Sequence, residues 1–405
     1  MQIEIIPSRA SGSVSAPPSK SMAHRLLICA GLCEGESRIS GIAPSEDVLA
    51  TLDCLQAIGA RYRYEGDTVQ IRGVDVTNLQ IADLLPCREC GSTLRFFIPI
   101  ALLCRDTVTL TGSERLLARP QSVYETLCRE KGLSFENDGK CIKVKGALRS
   151  GVYEIPGNIS SQFISGLLFV LPRLEGDSEI CITGKLESKP YIDLTLNALA
   201  QFGVQVTWKT PNVLAIRGAQ RYLARVAQVE GDYSNAAFFA ALNEVGGAVT
   251  VEGLSNESLQ GDRVYADYFA ALAEGYPTLD IAECPDLGPV LFAVATAKNG
   301  GVFTGTERLK IKESDRGAAM AQELEKMGAK LILEDDRITV LPTELHAPEA
   351  VLDGHNDHRI VMALSVLLTL FGGCINGAEA VAKSMPDFFE RLEKLGVKIK
   401  KHDIG

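Results

Sequence analysis

Residues Tyr124–Gly146 read YETLCREKGLSFENDGKCIKVKG: an amphipathic helix closed by Gly132, then two alternating runs separated by a turn. Glycine ends helices because it enters the left-handed region without a side-chain penalty, and alternation is the period of a strand with one buried face. The same order recurs in LDCLQAIGARYRYEGDTVQIRG (Leu52–Gly73), LTLNALAQFGVQVTWKTPNVLAIRG (Leu194–Gly218) and AQELEKMGAKLILEDDRITVLP (Ala321–Pro342), with closing glycines at Gly59, Gly203 and Gly328. A shortened copy, FERLEKLGVKIKK, ends the series with Gly396, and a weaker one, YADYFAALAEG, places Gly275 between the third and fourth good copies. The repeated unit is therefore a helix plus a hairpin, present six times.

Upstream of each copy a second helix begins at a polar entrance: PPSKS, CGSTLR, GNISSQ, GDYSN, CPDLGP and HNDHR. After each entrance the chain turns apolar on nearly every side, as in FISGLLFVLP and IVMALSVLLTLFGG, so these helices are expected to be buried. A buried helix must still satisfy the N–H groups of its first turn, and its N-terminus carries partial positive charge. Six such helices would aim six positive ends at one place, where anions should bind. The expected fold is α/β: two domains of three units, helices inside and sheets outside, with units one to three over residues 19–228 and units four to six from residue 229 onward. The opening strand, MQIEIIP, has no partner fixed by its sequence.

The 405 residues carry a net charge of −10, which argues against a general nucleic-acid or membrane-surface binder. Any anionic ligand must be met by locally gathered cations. The N-terminus lacks the pattern of a signal peptide, and the longest apolar stretch, around Val361–Leu370, is too short to span a bilayer, so a cytoplasmic protein is expected. The 11 cysteines are scattered through apolar segments and read as small buried hydrophobes in a reducing compartment. Cys87 and Cys90 form a C-x-x-C, but no second pair or nearby histidine completes a zinc site, and no metal or cofactor is expected.

The charged and hydroxyl residues at element ends are the candidates for chemistry: Lys20, Ser21 and Arg25; Arg119; Ser160, Ser161 and Gln162; Ser188 and Tyr191; Asp286; Lys312, Glu313 and Arg316; Arg359; and Lys383. Taken singly each reads as a cap or a solvated charge; their recurrence at the same point of successive units sets them apart. In IKESDR, Lys312 and Arg316 are four apart and share a face if that turn is helical. In Asp357-His358-Arg359, Arg359 reads as the functional member. No G-x-x-x-x-G-K-[ST] precedes Lys20, so a P-loop does not fit.

With SKSMAHR, GSTLRF, ARPQS, GNISSQF, SKPYIDLTL, GDYSNAAFF, PDLGPVL, IKESDR, NDHR and KSMPDFF in this order, the chain resembles the enolpyruvyl transferase family, and within it the EPSP synthases. The resemblance covers almost the whole chain. It implies two inside-out domains of three βαβαββ repeats, residues 19–228 and residues 1–18 plus 229–405, the helix N-termini facing an interdomain cleft, with shikimate 3-phosphate on the first, N-terminal side and phosphoenolpyruvate on the C-terminal side. It also implies transfer of the enolpyruvyl group of phosphoenolpyruvate to the 5-hydroxyl of shikimate 3-phosphate, through a tetrahedral intermediate. The two small-molecule substrates bring roughly six negative charges to one site. No nucleic-acid or membrane partner is implied, and a monomer is expected.

By the same resemblance, Ser160, Ser161 and Ser188 hold the shikimate phosphate, Arg25 its carboxylate, and Tyr191 lies alongside, with Lys20, Ser21, Gln162, Asp286 and Lys312 completing that set. Lys20, Gly91, Ser92, Arg119, Gln162, Arg316, Arg359 and Lys383 serve phosphoenolpyruvate, arginine supplying fork geometry and lysine a point charge. Asp286 and Glu313 are the acid and base candidates, with Lys20 and Lys312 placed to share proton traffic, and the division among them stays open. Glyphosate competes with phosphoenolpyruvate in that family, and Gly91→Ala is expected to weaken its inhibition more than it raises KM for phosphoenolpyruvate. The chain departs from the family at Pro18, His24, Ser92 and Glu89. Glu89 is left out of the site, as an anion there must turn away or pair with Arg88. The rivals are the sister enzymes acting on UDP-N-acetylglucosamine, whose reactive loop cysteine has no counterpart in SERLLARPQ, and a non-enzymatic scaffold for phosphorylated ligands.

Overall fold

The computed structural model describes residues 1–76, 79, 81 and 84–402. The chain divides into two compact units, Pro18–Glu230, and Met1–Pro17 with the chain from Gly231 onward. The crossings fall at Pro17/Pro18 and Glu230/Gly231, one and two residues from the boundaries read in the sequence.

In the Pro18–Glu230 unit each repeat ends in a four-stranded sheet. Strand Val152–Pro156 lies parallel to Ser178–Thr183, which pairs antiparallel with Val213–Ile216, and Val206–Thr210 forms the edge. The register sets Tyr153 beside Ile180 and Ile180 beside Leu214, so one face of the sheet is apolar and buried, as a period of two requires. Three helices, Lys20–Gly31, Gly91–Ala101 and Ser161–Val170, fill the interior of this unit. The middle one buries every residue except Ser92.

That middle helix contains Pro99, which has no N–H for the carbonyl of Arg95. The hydroxyl of the fully buried Tyr124 takes its place, 2.8 Å from Arg95 O and 3.0 Å from Phe163 O. A side chain at Gly166 would collide with that hydroxyl, so glycine is required for the close approach.

The other unit buries Tyr233–Glu244, Gly288–Ala297 and His358–Phe371 in its own core. The chain closes its repeats by lending strands across the sequence. Gln2–Ile6 inserts between Gly373–Asn376 and Lys398–His402, antiparallel to both, and so supplies the strand that the shortened sixth copy lacks. Val226–Gln228 supplies the parallel partner of Glu36–Ser40, and Ser11–Ser15 that of Ala248–Glu252. The weak fourth copy has only this two-stranded sheet, and its Gly275 has φ −179°, open to any residue, whereas Gly59, Gly132, Gly203, Gly328 and Gly396 lie between 68° and 102°.

Candidate functional site

Five of the six buried helices start on a side-chain cap: Ser19, Cys90, Ser160, Asp232 and Asp357 each accept a backbone N–H of the first turn. The sixth follows the short 3-10 turn Pro285–Leu287, which carries Asp286.

In the Pro18–Glu230 unit, Arg25 reaches back along its own helix. Its guanidinium donates to Ser21 O at 2.7 Å, Thr195 Oγ1 at 2.8 Å and Tyr191 O at 3.0 Å. Burial lowers this guanidinium to about 10, which leaves it charged at neutral pH. Thr195 also bonds Ser165 at 2.8 Å, tying together, one turn inside, the helices that begin near Ser161 and Tyr191. Ser188 precedes the second of them, buried, with φ 55°.

A second group surrounds the start of the helix Gly91–Ala101. Gln162 donates to Ser92 Oγ at 2.8 Å and accepts from Arg95 at 2.8 Å; Arg95 also donates to Pro120 O at 3.1 Å. The Arg119 guanidinium lies against the Cα of Gly91, where a Cβ would collide with it, and its Nε is buried with no acceptor among the described residues. Lys20 is not an open surface cation: its side chain is 14% exposed and its Nζ lies 2.6 Å from Asp47. Arg88 is bound by Glu46 and Asp53, and Glu89 is exposed.

In the other unit a single carboxylate gathers three cations. Asp286 Oδ1 lies 2.8 Å from Arg316 and 3.2 Å from Lys312, and Oδ2 lies 3.2 Å from Arg359. Arg316 also donates to Glu313 at 2.6 Å and to Asp357 at 2.9 Å, so one fork holds both candidate acids. Burial opposes its charge, but Asp357, Glu313 and Asp286 together outweigh burial and raise its pKa. Lys312 is pushed down to about 8, chiefly by burial, with Asp286 pulling the other way. The turn at Lys312 is extended, not helical, so Lys312 and Arg316 meet through Asp286 instead of through a shared helix face.

Asp357 is more than a helix cap. It accepts from Ser314, Arg316 and the Arg359 N–H, and is fully buried. Just before it, His355 and Asn356 take φ 49° and 51°, a costly pair for residues with side chains. The buried Glu323 holds them, accepting from His355 Nε2 at 2.9 Å and Asp353 N at 2.8 Å, and the Asn356 carbonyl so placed receives Lys383 at 2.7 Å. Ser234 receives Arg359 at 2.6 Å.

Asp47, Arg95, Ser234 and Glu323 were not legible as site residues. Asp47 looks like an ordinary first-turn acid, and 27 residues separate it from Lys20. Arg95 and Ser234 carried a signal, by their places in GSTLRF and GDYSNAAFF. The expected absence of a histidine near the C-x-x-C is also corrected: His24 Nε2 lies 3.9 Å from Cys90, while Cys87 lies 3.9 Å from Cys54. All 11 cysteines are free thiols. Among the described residues no helix is long and apolar enough to cross a membrane.

Solved structures share this architecture. An EPSP synthase from Acinetobacter baumannii matches with a TM-score of 0.81 at 23% identity, covering 100% of both chains. The enolpyruvyl transferase NikO from Streptomyces tendae matches with a TM-score of 0.77 at 14% identity, covering 98% of each. The fold is thus that of the enolpyruvyl transferases. The family model described as EPSP synthase (3-phosphoshikimate 1-carboxyvinyltransferase) matches residues 5–392. A 3-phosphoshikimate 1-carboxyvinyltransferase from Clostridium perfringens is 39% identical over 418 residues, 98% of each chain, and one from Clostridium novyi is 37% identical over 433 residues, 100% of this chain and 99% of its own. The chain belongs to the EPSP synthase family.

Proposed function

We propose an assignment of residues to the reaction of this family. The enzyme transfers the enolpyruvyl group of phosphoenolpyruvate to the 5-hydroxyl of shikimate 3-phosphate. The hydroxyl oxygen bonds to C2 while a proton is added at C3; the tetrahedral intermediate then expels phosphate and returns a C3 proton, which restores the double bond. Lys20, Ser21, Arg25, Ser160, Ser161, Gln162, Ser188, Tyr191 and Lys312 serve shikimate 3-phosphate. Lys20, Gly91, Ser92, Arg119, Gln162, Arg316, Arg359 and Lys383 serve phosphoenolpyruvate.

The observation that carries the assignment is the convergence of Lys312, Arg316 and Arg359 on Asp286, with Glu313 on the same Arg316 fork. Asp286 holds the three cations in place. Incoming phosphate and carboxylate groups take over their hydrogen bonds, which releases Asp286 for proton transfer beside Glu313. Binding and acid–base chemistry thus draw on one network.

The test is phosphate release coupled to phosphoenolpyruvate consumption. One phosphate per phosphoenolpyruvate is expected with shikimate 3-phosphate, and none with UDP-N-acetylglucosamine. Asp286→Asn should slow turnover by about 10²–10⁴, and Lys20→Met should remove most turnover and lower the thermal unfolding midpoint, because Asp47 is left buried without this cation. Near-normal turnover in folded variants would sink the assignment.

A further inference from the structure

His24, Asp47 and Cys90 each offer one ligand atom, and these atoms lie within 4.8 Å of one another. All three residues are buried, and Asp47 is the partner of Lys20. Nothing in the assigned chemistry uses His24 or Cys90.

The imidazole is oriented for ligation. His24 Nδ1 lies 2.7 Å from Thr51 Oγ1, which lies 2.7 Å from Thr93 Oγ1. With Nδ1–H donating to Thr51, the Nε2 lone pair points to Cys90 Sγ at 3.9 Å. A hydrogen bond behind the ring that fixes tautomer and direction is the usual support of a metal-binding histidine. Zinc–sulfur and zinc–nitrogen bonds of about 2.3 and 2.0–2.1 Å at a tetrahedral angle set the two atoms about 3.6 Å apart, close to what is found. Burial, reinforced by Lys20 and Arg25, drives His24 well below the usual histidine range and so keeps it in the neutral, ligating form.

We propose that His24 Nε2, Cys90 Sγ and an Asp47 carboxylate oxygen form a binding site for a borderline-soft divalent cation such as Zn2+, and that the cation inhibits by competing with Lys20 for Asp47. On binding, the Cys90 S–H bond is replaced by a sulfur–metal bond, and the proton leaves to solvent. The fourth position is left to water or a ligand oxygen. Nitrogen and sulfur donors select Zn2+ over Mg2+, which prefers oxygen. The inhibition rests on the role given above to Lys20; the coordination does not.

Two measurements on the full-length protein separate these claims. With Co2+ as the probe, one equivalent should give a thiolate-to-cobalt charge-transfer band in the near ultraviolet, which Zn2+ removes by displacement. Cys90→Ser keeps an acceptor for the Thr93 N–H, and His24→Asn keeps a polar side chain beside Thr51; each should abolish the band. Each should also raise the Zn2+ concentration for half-inhibition by more than about tenfold, with metal-free turnover retained. Absence of the band in the parent at excess Co2+, or its survival in Cys90→Ser, overturns the site, and neither result depends on both variants folding. A band without inhibition supports the coordination and overturns the competition with Lys20. Inhibition by Zn2+ that is unchanged in both variants overturns the inhibitory role of this site.

Discussion

A methyl group at residue 91 would collide with the Arg119 guanidinium, a flexible group that can move aside, not with backbone. Gly91→Ala should therefore fold normally but shift the side chain assigned to phosphoenolpyruvate. KM for phosphoenolpyruvate should rise, and the glyphosate inhibition constant should rise further because a longer ligand has less room to adjust. Steady-state measurement of both constants checks this; equal losses for the two ligands would reject the steric account. Lys312 allows a prediction about pH. Its pKa is held near 8 by burial, although 24% of the side chain still meets solvent, so its inflection should lie at about 8 or slightly above. Because the native value lies below the unfolded lysine value of 10.5, this group weakens folding below about pH 8, and that cost fades as pH rises toward 10.5. Ligand affinity runs the opposite way. Shikimate 3-phosphate should bind about tenfold or more weakly once Lys312 is neutral, and Lys312→Arg should remove the inflection from a titration of Kd against pH.

Among the elements, the helix Gly91–Ala101 shows how backbone and site are joined. Pro99 leaves the Arg95 carbonyl to Tyr124, while the Arg95 side chain holds Gln162. Tyr124→Phe should strip that buried carbonyl of its donor and cost about 1–3 kcal/mol, measured as a lower midpoint of urea unfolding. If the midpoint does not move, the carbonyl does not depend on Tyr124. The polar entrances were readable because caps act within one turn: Ser19, Ser160 and Asp357 lie where the sequence pattern places a helix start. The Tyr124 bond was not readable, since 29 residues separate it from Arg95 and no local period connects them.

For the molecule as a whole, the first strand is the most informative. Ile5 is 1% exposed and stands between Gly373 and Ile399, so the start of the chain holds together strands from its end. Ile5→Ala should cost about 2–5 kcal/mol, with faster hydrogen exchange in Gly373–Asn376 and Lys398–His402 and little change within Pro18–Glu230. Equal loss of protection in both units would count against their separation. A net charge of −10 leaves ligand capture to the local cations, so affinity for both substrates should fall with added salt. The sequence alone determined the helix–glycine–hairpin repeat, the apolar inner helices and the cations and hydroxyls at their starts, because periodicity and capping are interactions among residues a few positions apart. Only the tertiary structure decided which distant strands close the sheets, that Asp47 holds Lys20, that Asp286 gathers three cations, and that His24 and Cys90 face each other. Those pairings join residues far apart in the chain, and packing of the repeats, which leaves no local pattern, brings them together.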